Sequence, residues 1–145
     1  MTNTVTISCR IGTTDASASL GFEAWVDDHK FFDTDHVTES QIISVDVDDS
    51  EGQHELRFVL KNKNQSHTRI DSDGNILSDS FITVKDVTFD DIKIGHTLTK
   101  LAEYRHNFNG TGTETTEKFF GSLGCNGTVS LRFTTPLYMW WLEHM

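Results

Sequence analysis

The 145-residue chain is long enough for one compact domain and too short for two ordinary ones. Ten Phe, three Trp and a hydrophobic fraction of 36% can cover one core and argue against a disordered chain. With 22 acidic against 12 basic side chains the formal net charge is -10, a surface that repels phosphate backbones and argues against nucleic acid as a partner.

In chain order, Val5, Ile7, Cys9 and Ile11 alternate with Thr6, Ser8 and Arg10. Leu20, Phe22, Ala24 and Val26 alternate with Gly21, Glu23 and Trp25, and Ile43, Val45 and Val47 with Ser44, Asp46 and Asp48. Leu56, Phe58 and Leu60 keep the same period, as do Val129, Leu131 and Phe133. Period two puts one face on a core and the other in water, as in half-buried antiparallel strands. Weaker strands are expected at Lys30–Phe32, Phe81–Phe89, Ile92–Ile94 and Tyr104–Phe108. Asp48–Gly52, Asp73-Gly74, Asn109-Gly110 and Asn126-Gly127 fall between the runs and suit turns. Asn107–Thr116 reads as a long loop. About eight short, closely spaced strands predict an all-β antiparallel sandwich or jelly roll.

The end of the chain differs. Thr135-Pro136 can open a short helix, with Thr135 as its cap. Leu137, Tyr138, Met139, Trp140, Trp141 and Leu142 then form a terminus too apolar to fray in water. The organisation expected is a single domain over residues 1–145, with the sandwich at 1–134 and a helical or irregular apolar tail at 135–145. The tail either plugs its own sandwich or docks a partner subunit through Tyr138, Trp140 and Trp141, because Trp and Tyr dominate interface hot spots.

No run approaches the roughly 20 apolar residues that span a bilayer, so no membrane partner is expected. The N-terminal stretch MTNTVTISCRIG has neither a basic nor an apolar leader segment, and no export signal is expected. Cys9 and Cys125 are then expected as free thiols. Asn109-Gly110-Thr111 and Asn126-Gly127-Thr128 match the glycosylation acceptor pattern but read as turns.

Candidate chemistry is sparse. Asp71, Asp73 and Asp79 place oxygen ligands around a Gly turn, which is what Ca²⁺ requires. Aligning Gly74 with the glycine of a twelve-residue calcium loop puts Arg69 and Ser80 at its end positions, which favours a turn with solvated carboxylates. Asp27, Asp28, Asp33 and Asp35, and then Asp46, Asp48 and Asp49, read as polar loops more readily than as metal sites. The seven histidines show no zinc-type spacing, and no catalytic fingerprint is present, so no enzyme activity is expected. Trp25 points away from the core beside Glu23, where it serves as a stacking platform for a sugar ring, as a partner contact, or as a residue under a covering loop.

Two resemblances add to this reading. WVDDHKFF, GQHELRFVLKNK and SDSFITVKDVTFDDIKI are similar to the β-sandwich carbohydrate-binding modules of the calcium-dependent, xylan-binding kind, carried by Gly52, His54, Leu56 and Asn62 and then by Asp79, Val84 and Val87. That resemblance implies a sandwich fold and a glycan ligand; no cofactor is expected, calcium being the one the resemblance allows. The C-terminal third, above all FFGSLGCNGTVSLRFTTPLYMWWLE, resembles small proteins of unassigned activity from tailed phages that infect marine bacteria. It implies a non-enzymatic structural protein of the phage tail, baseplate or capsid surface, assembled in the host cytoplasm and located in the virion. Its partners would be other phage structural proteins or further copies of itself. The alternative is a glycan-binding module for host attachment.

Overall fold

The computed structural model describes residues 4–14, 18–50, 52–63, 68–70, 72–73, 76–107 and 113–144, with backbone pairing alone at 68–70 and 76–79. Among these residues the predicted alternation becomes two antiparallel sheets packed face to face. The first runs β12 (Ser122–Leu123), β8 (Ile82–Phe89), β1 (Thr4–Thr13), β4 (Gln41–Asp48), and β9 (Ile92–Lys93) also pairs with β8. The second runs β11 (Thr115–Lys118), β10 (Glu103–His106), β13 (Gly127–Thr135), β5 (Gly52–Lys61), β2 (Gly21–Val26), β3 (His29–Thr34). A separate hairpin joins β6 (Thr68–Ile70) to β7 (Ile76–Asp79), as the Asp73-Gly74 turn signal predicts. No helix among the described residues is long and apolar enough to cross a membrane.

The core lies between the sheets. Val5, Ile7, Cys9 and Ile11 of β1 meet Val84, Val87 and Phe89 of β8 and Ile43 and Val47 of β4. Facing them are Phe22, Ala24 and Val26 of β2, Leu56, Phe58 and Leu60 of β5, and Val129, Leu131 and Phe133 of β13. Phe22 and Phe58 stack at 5.9 Å, and Phe89 meets Phe133 edge-on at 5.1 Å. Each such large side chain contributes about 1.5–3 kcal/mol by leaving water, so the inward row of every long strand is a main source of stability.

Three features depart from the expected elements. Helix α1 (Gly95–Leu101) has no helical pattern in sequence, since Gly, Thr and His are weak helix formers. It forms because Thr97 and Leu98 are buried against the sandwich. The loop expected over Asn107–Thr116 gives way to β11 at Thr115, while residues 108–112 lie outside the described set. Consequently the strand expected to reach Phe108 ends, as described, at His106.

The apolar tail is helix α2 (Leu137–His144). Thr135 is not its cap: the Thr135 hydroxyl is buried and donates to the Ser50 carbonyl. The first helical N–H, that of Leu137, donates instead to Asp49 Oδ1 at 2.8 Å. An acceptor from the β4–β5 loop thus satisfies one of the four donors that a helix start leaves open.

Candidate functional site

The outward residues of the six-stranded sheet form a groove. β13, at its centre, carries small hydroxyl residues, Thr128 and Ser130, at its first two outward positions. The strands on both sides carry long ones, Glu55 and Arg57 on β5 and Glu103 and Arg105 on β10. Register aligns them: Ser130 lies opposite both Arg57 and Glu103, Thr128 opposite Arg105, and Arg132 opposite Glu55. Short side chains between tall ones leave a trough of about 710 Å³, closed in part by Leu101 of α1 and His144 of α2. β10 can lie this close to β13 because residue 127 is glycine; a Cβ there would sit 2.3 Å from the Arg105 carbonyl oxygen.

The groove is polar and locally balanced. Arg57, Arg105 and Arg132 line it, three of the chain's five arginines (Arg10, Arg57, Arg69, Arg105, Arg132), alongside Glu55, Glu103 and Glu114. Glu55 is shared between Arg57 at 3.4 Å and Arg132 at 3.6 Å, and Arg105 pairs with Glu114 at 3.8 Å. Guanidinium groups only donate hydrogen bonds, carboxylates only accept, and the Ser and Thr hydroxyls do both. Such a surface matches a ligand whose own groups donate and accept at close spacing.

Trp25 lies on the same face, next to Arg57 in register. Its indole N–H donates to Glu23 Oε1 at 2.9 Å. Arg57 and Lys30, on the two neighbouring strands, lie over its ring at 5.2 and 5.5 Å. A stacking ligand would have to displace one of these cations. Beyond it, Lys61 joins Asp33 at 2.6 Å, Glu23 at 3.0 Å and Asp35 at 3.3 Å, and Lys30 joins Asp33 at 2.8 Å. The hydrogen bonds from Lys30 and Lys61 hold the Asp33 carboxyl below its usual range. Partial burial alone would raise Glu23, but hydrogen bonds from Trp25 and Lys61 hold it below its usual value. Lys61 is raised, chiefly by its bond to Asp33.

Asp27, Asp46 and Asp48 brace strands and turns. Asp27 accepts from the Glu55 N–H at 2.9 Å and meets His54 Nδ1 at 2.8 Å, pinning the β2–β3 turn to β5. Asp46 accepts from the Thr6 hydroxyl and Asp48 from the Ser50 N–H. Of the calcium candidates, Asp71 lies outside the described residues, Asp79 is on β7, and Asp73 is exposed in the turn between β6 and β7. Among the described residues, no three His, Cys, Asp or Glu side chains are grouped to hold a metal ion.

The tail candidates divide. Trp140 is 2% exposed and belongs to the chain's own core, which corrects its assignment to a docking face. Trp141 packs half-buried on Trp140 at 5.7 Å, and its buried indole N–H has no acceptor among the described residues. Tyr138 is 63% exposed, and Met139 and Leu142 are exposed beside it. Both cysteines are free thiols; burial pushes Cys9 up to about 12, leaving it unreactive at neutral pH.

The groove residues escaped the sequence reading, although a signal was present. Glu55-Leu56-Arg57 and Glu103-Tyr104-Arg105 put the same Glu-x-Arg pair on the outward face of two strands. What sequence did not reveal is that both strands flank β13.

No known protein family matches the chain, and no curated protein matches it. Its fold is similar to that of two solved structures. One is the selenomethionine form of vCBM60, described with a circular permutation linking two families of calcium-dependent carbohydrate binding modules. It has a TM-score of 0.55 and 12% identity, over 88% of this chain and 89% of that one. The other is vCBM60 in complex with galactobiose, with a TM-score of 0.52 and 13% identity, over 87% of this chain and 96% of that one. The chain therefore has a β-sandwich fold similar to that of these two structures.

Proposed function

We propose that the protein is a non-catalytic glycan-binding module whose ligand lies in the groove over β13. The observation that carries this reading is the Ser130 row. A hydroxyl floor stands between Arg57 and Glu103, so donor and acceptor face each other across a trough of about 710 Å³. Adjacent sugar hydroxyls present the same pairing of donor and acceptor. The module-type sandwich supports the reading, since one of the similar structures holds galactobiose. Those relatives are described as calcium-dependent. The described carboxylates nearest Trp25 are held by Lys30 and Lys61, and none of the described acids forms a metal-ligand group. The groove reading is built on the side chains that line the trough. A glycan microarray probed with the wild type and with Arg57→Ala tests it: the wild type should give a coherent set of related saccharides, and the variant should lose them.

The exposed row of Tyr138, Met139 and Leu142 on α2 favours a second reading. In it, the chain is mounted through this row on other subunits of a phage particle assembled in the host cytoplasm. Mass spectrometry of purified particles tests that placement; absence of the chain would remove it.

A further inference from the structure

Two like-charged pairs stand directly opposite each other across neighbouring strands, and the protein treats them differently. Glu23 faces Asp33, and Lys61 bridges the two carboxylates at 3.0 and 2.6 Å. Arg10 of β1 faces Lys85 of β8 on the outer face of the other sheet. Among the described residues neither of these cations has an ion-pair or hydrogen-bond partner. Directly opposed like charges are destabilising, and in a chain of net charge -10 an internal counterion would be easy to supply.

The local backbone builds a receptacle beside this pair. Between Ser8↔Thr88 and Arg10↔Lys85, β8 spends three residues against two of β1, and the extra residue, Asp86, sits at φ 52°. Such bulges re-aim neighbouring side chains. The next pair on the same face is Gly12 opposite Thr83. Gly12 is buried, and a Cβ on it would lie 3.2 Å from the Thr83 hydroxyl and 3.8 Å from Ser40 Cβ, so the absence of a side chain is what lets Thr83 and Ser40 close in beside the pair. Together these residues line a pocket of about 350 Å³. Its lining has one carboxylate, Glu39, against two cations and several hydroxyls, and exposed Asp86 pairs with neither cation.

We propose that this pocket binds a tetrahedral oxyanion, sulfate or phosphate, which serves as the external counterion of Arg10 and Lys85. Guanidinium and ammonium supply the charge-assisted donors. The hydroxyls of Thr83 and Ser40 complete the shell. The site lies on the sheet opposite the glycan groove and stands independently of that reading.

Calorimetric titration of the full chain with sodium sulfate and with sodium phosphate, at ionic strength matched by chloride, tests the proposal. A sulfated oligosaccharide and its unsulfated parent are titrated in parallel. Sulfate should bind the wild type, and affinity should fall by about tenfold or more in R10Q/K85Q, the scale expected on losing charge-assisted hydrogen bonds. G12V, which keeps both cations but pushes Thr83 and Ser40 apart, should lose affinity too, while Arg57→Ala should retain it. Melting temperature gives a second readout: sulfate raises it in any protein by exclusion from the surface, so the rise should be larger in the wild type than in R10Q/K85Q. Tighter binding of the sulfated saccharide than of inorganic sulfate assigns the oxyanion to an ester on a glycan, and equal binding assigns it to the free ion; both support the site. Wild-type binding of sulfate no stronger than of chloride, or unchanged affinity in R10Q/K85Q, overturns it.

Discussion

The Trp140 indole stacks on the Phe89 ring at 5.8 Å with 22° between their planes, and Phe133 meets the same indole edge-on at 6.3 Å. The C-terminal helix is thereby joined to both sheets through one side chain. Leu137 is buried beside it, whereas Tyr138, Met139 and Leu142 look outward. The tail is an end plug with an apolar outer side.

Trp140→Ala should therefore cost about 3–5 kcal/mol, the usual range for removing a buried large aromatic. Tyr138→Ser and Leu142→Ser should stay within about 0.5 kcal/mol, as exposed substitutions do. Truncation after Pro136 should lower the melting point at least as far as Trp140→Ala. Denaturant unfolding measures all four.

Asp49→Ala should destabilise the protein by about 0.5–2 kcal/mol, because it removes the acceptor on the Leu137 N–H. Thr135→Val removes a different bond, the hydroxyl donated to the Ser50 carbonyl, so the two losses should arise independently. Unfolding of the single and double variants would show whether the effects add.

Sequence carried the fold further than the site. Alternation in Val5–Ile11, Phe22–Val26, Leu56–Leu60 and Val129–Phe133 marked the inward rows, because a half-buried strand allows few other patterns. Short strands were harder: β11 and β12 bury little and leave no long alternation. Helix α1 was hidden because packing, not propensity, holds it. Trp25 was correctly placed on the outer face, but its neighbours Arg57 and Lys30 come from separate strands, so only the register reveals them. Trp140 and Tyr138 looked alike in sequence, and the helical period separates them into core and surface.

The Lys61 cluster should shape the acid limb of stability. Glu23 and Asp33 have lowered folded values, so their contribution is complete above the ordinary carboxylate range and is lost as pH falls through those values. Lys61 has a raised folded value, so its contribution holds below the ordinary lysine value and is lost only as pH rises through the folded one. In Lys61→Met the carboxylates face each other unbridged. The melting-point deficit of the variant should be largest near neutral pH and shrink as pH drops below about 4, where carboxylates take up protons. A deficit that stays constant with pH would point to packing of the Lys61 stem instead.

Calcium should add little stability. A site filled at 100 times its dissociation constant would contribute about 2.7 kcal/mol, and the described carboxylates form no metal-ligand group. Thermal melts in calcium and in chelator check this, with Asp73→Ala as the variant at the β6–β7 turn. A large calcium-dependent rise, abolished in Asp73→Ala, would place a metal at that turn.

The most direct measurement is calorimetric titration of a saccharide selected by array against the wild type, Ser130→Phe and Gly12→Val. Ser130→Phe fills the groove floor between Arg57 and Glu103, while Gly12→Val changes the opposite sheet. With an unsulfated saccharide, the groove account expects binding to the wild type and to Gly12→Val, and a loss of at least about tenfold in Ser130→Phe, equivalent to one good hydrogen bond. Undiminished binding in a folded Ser130→Phe protein would contradict it.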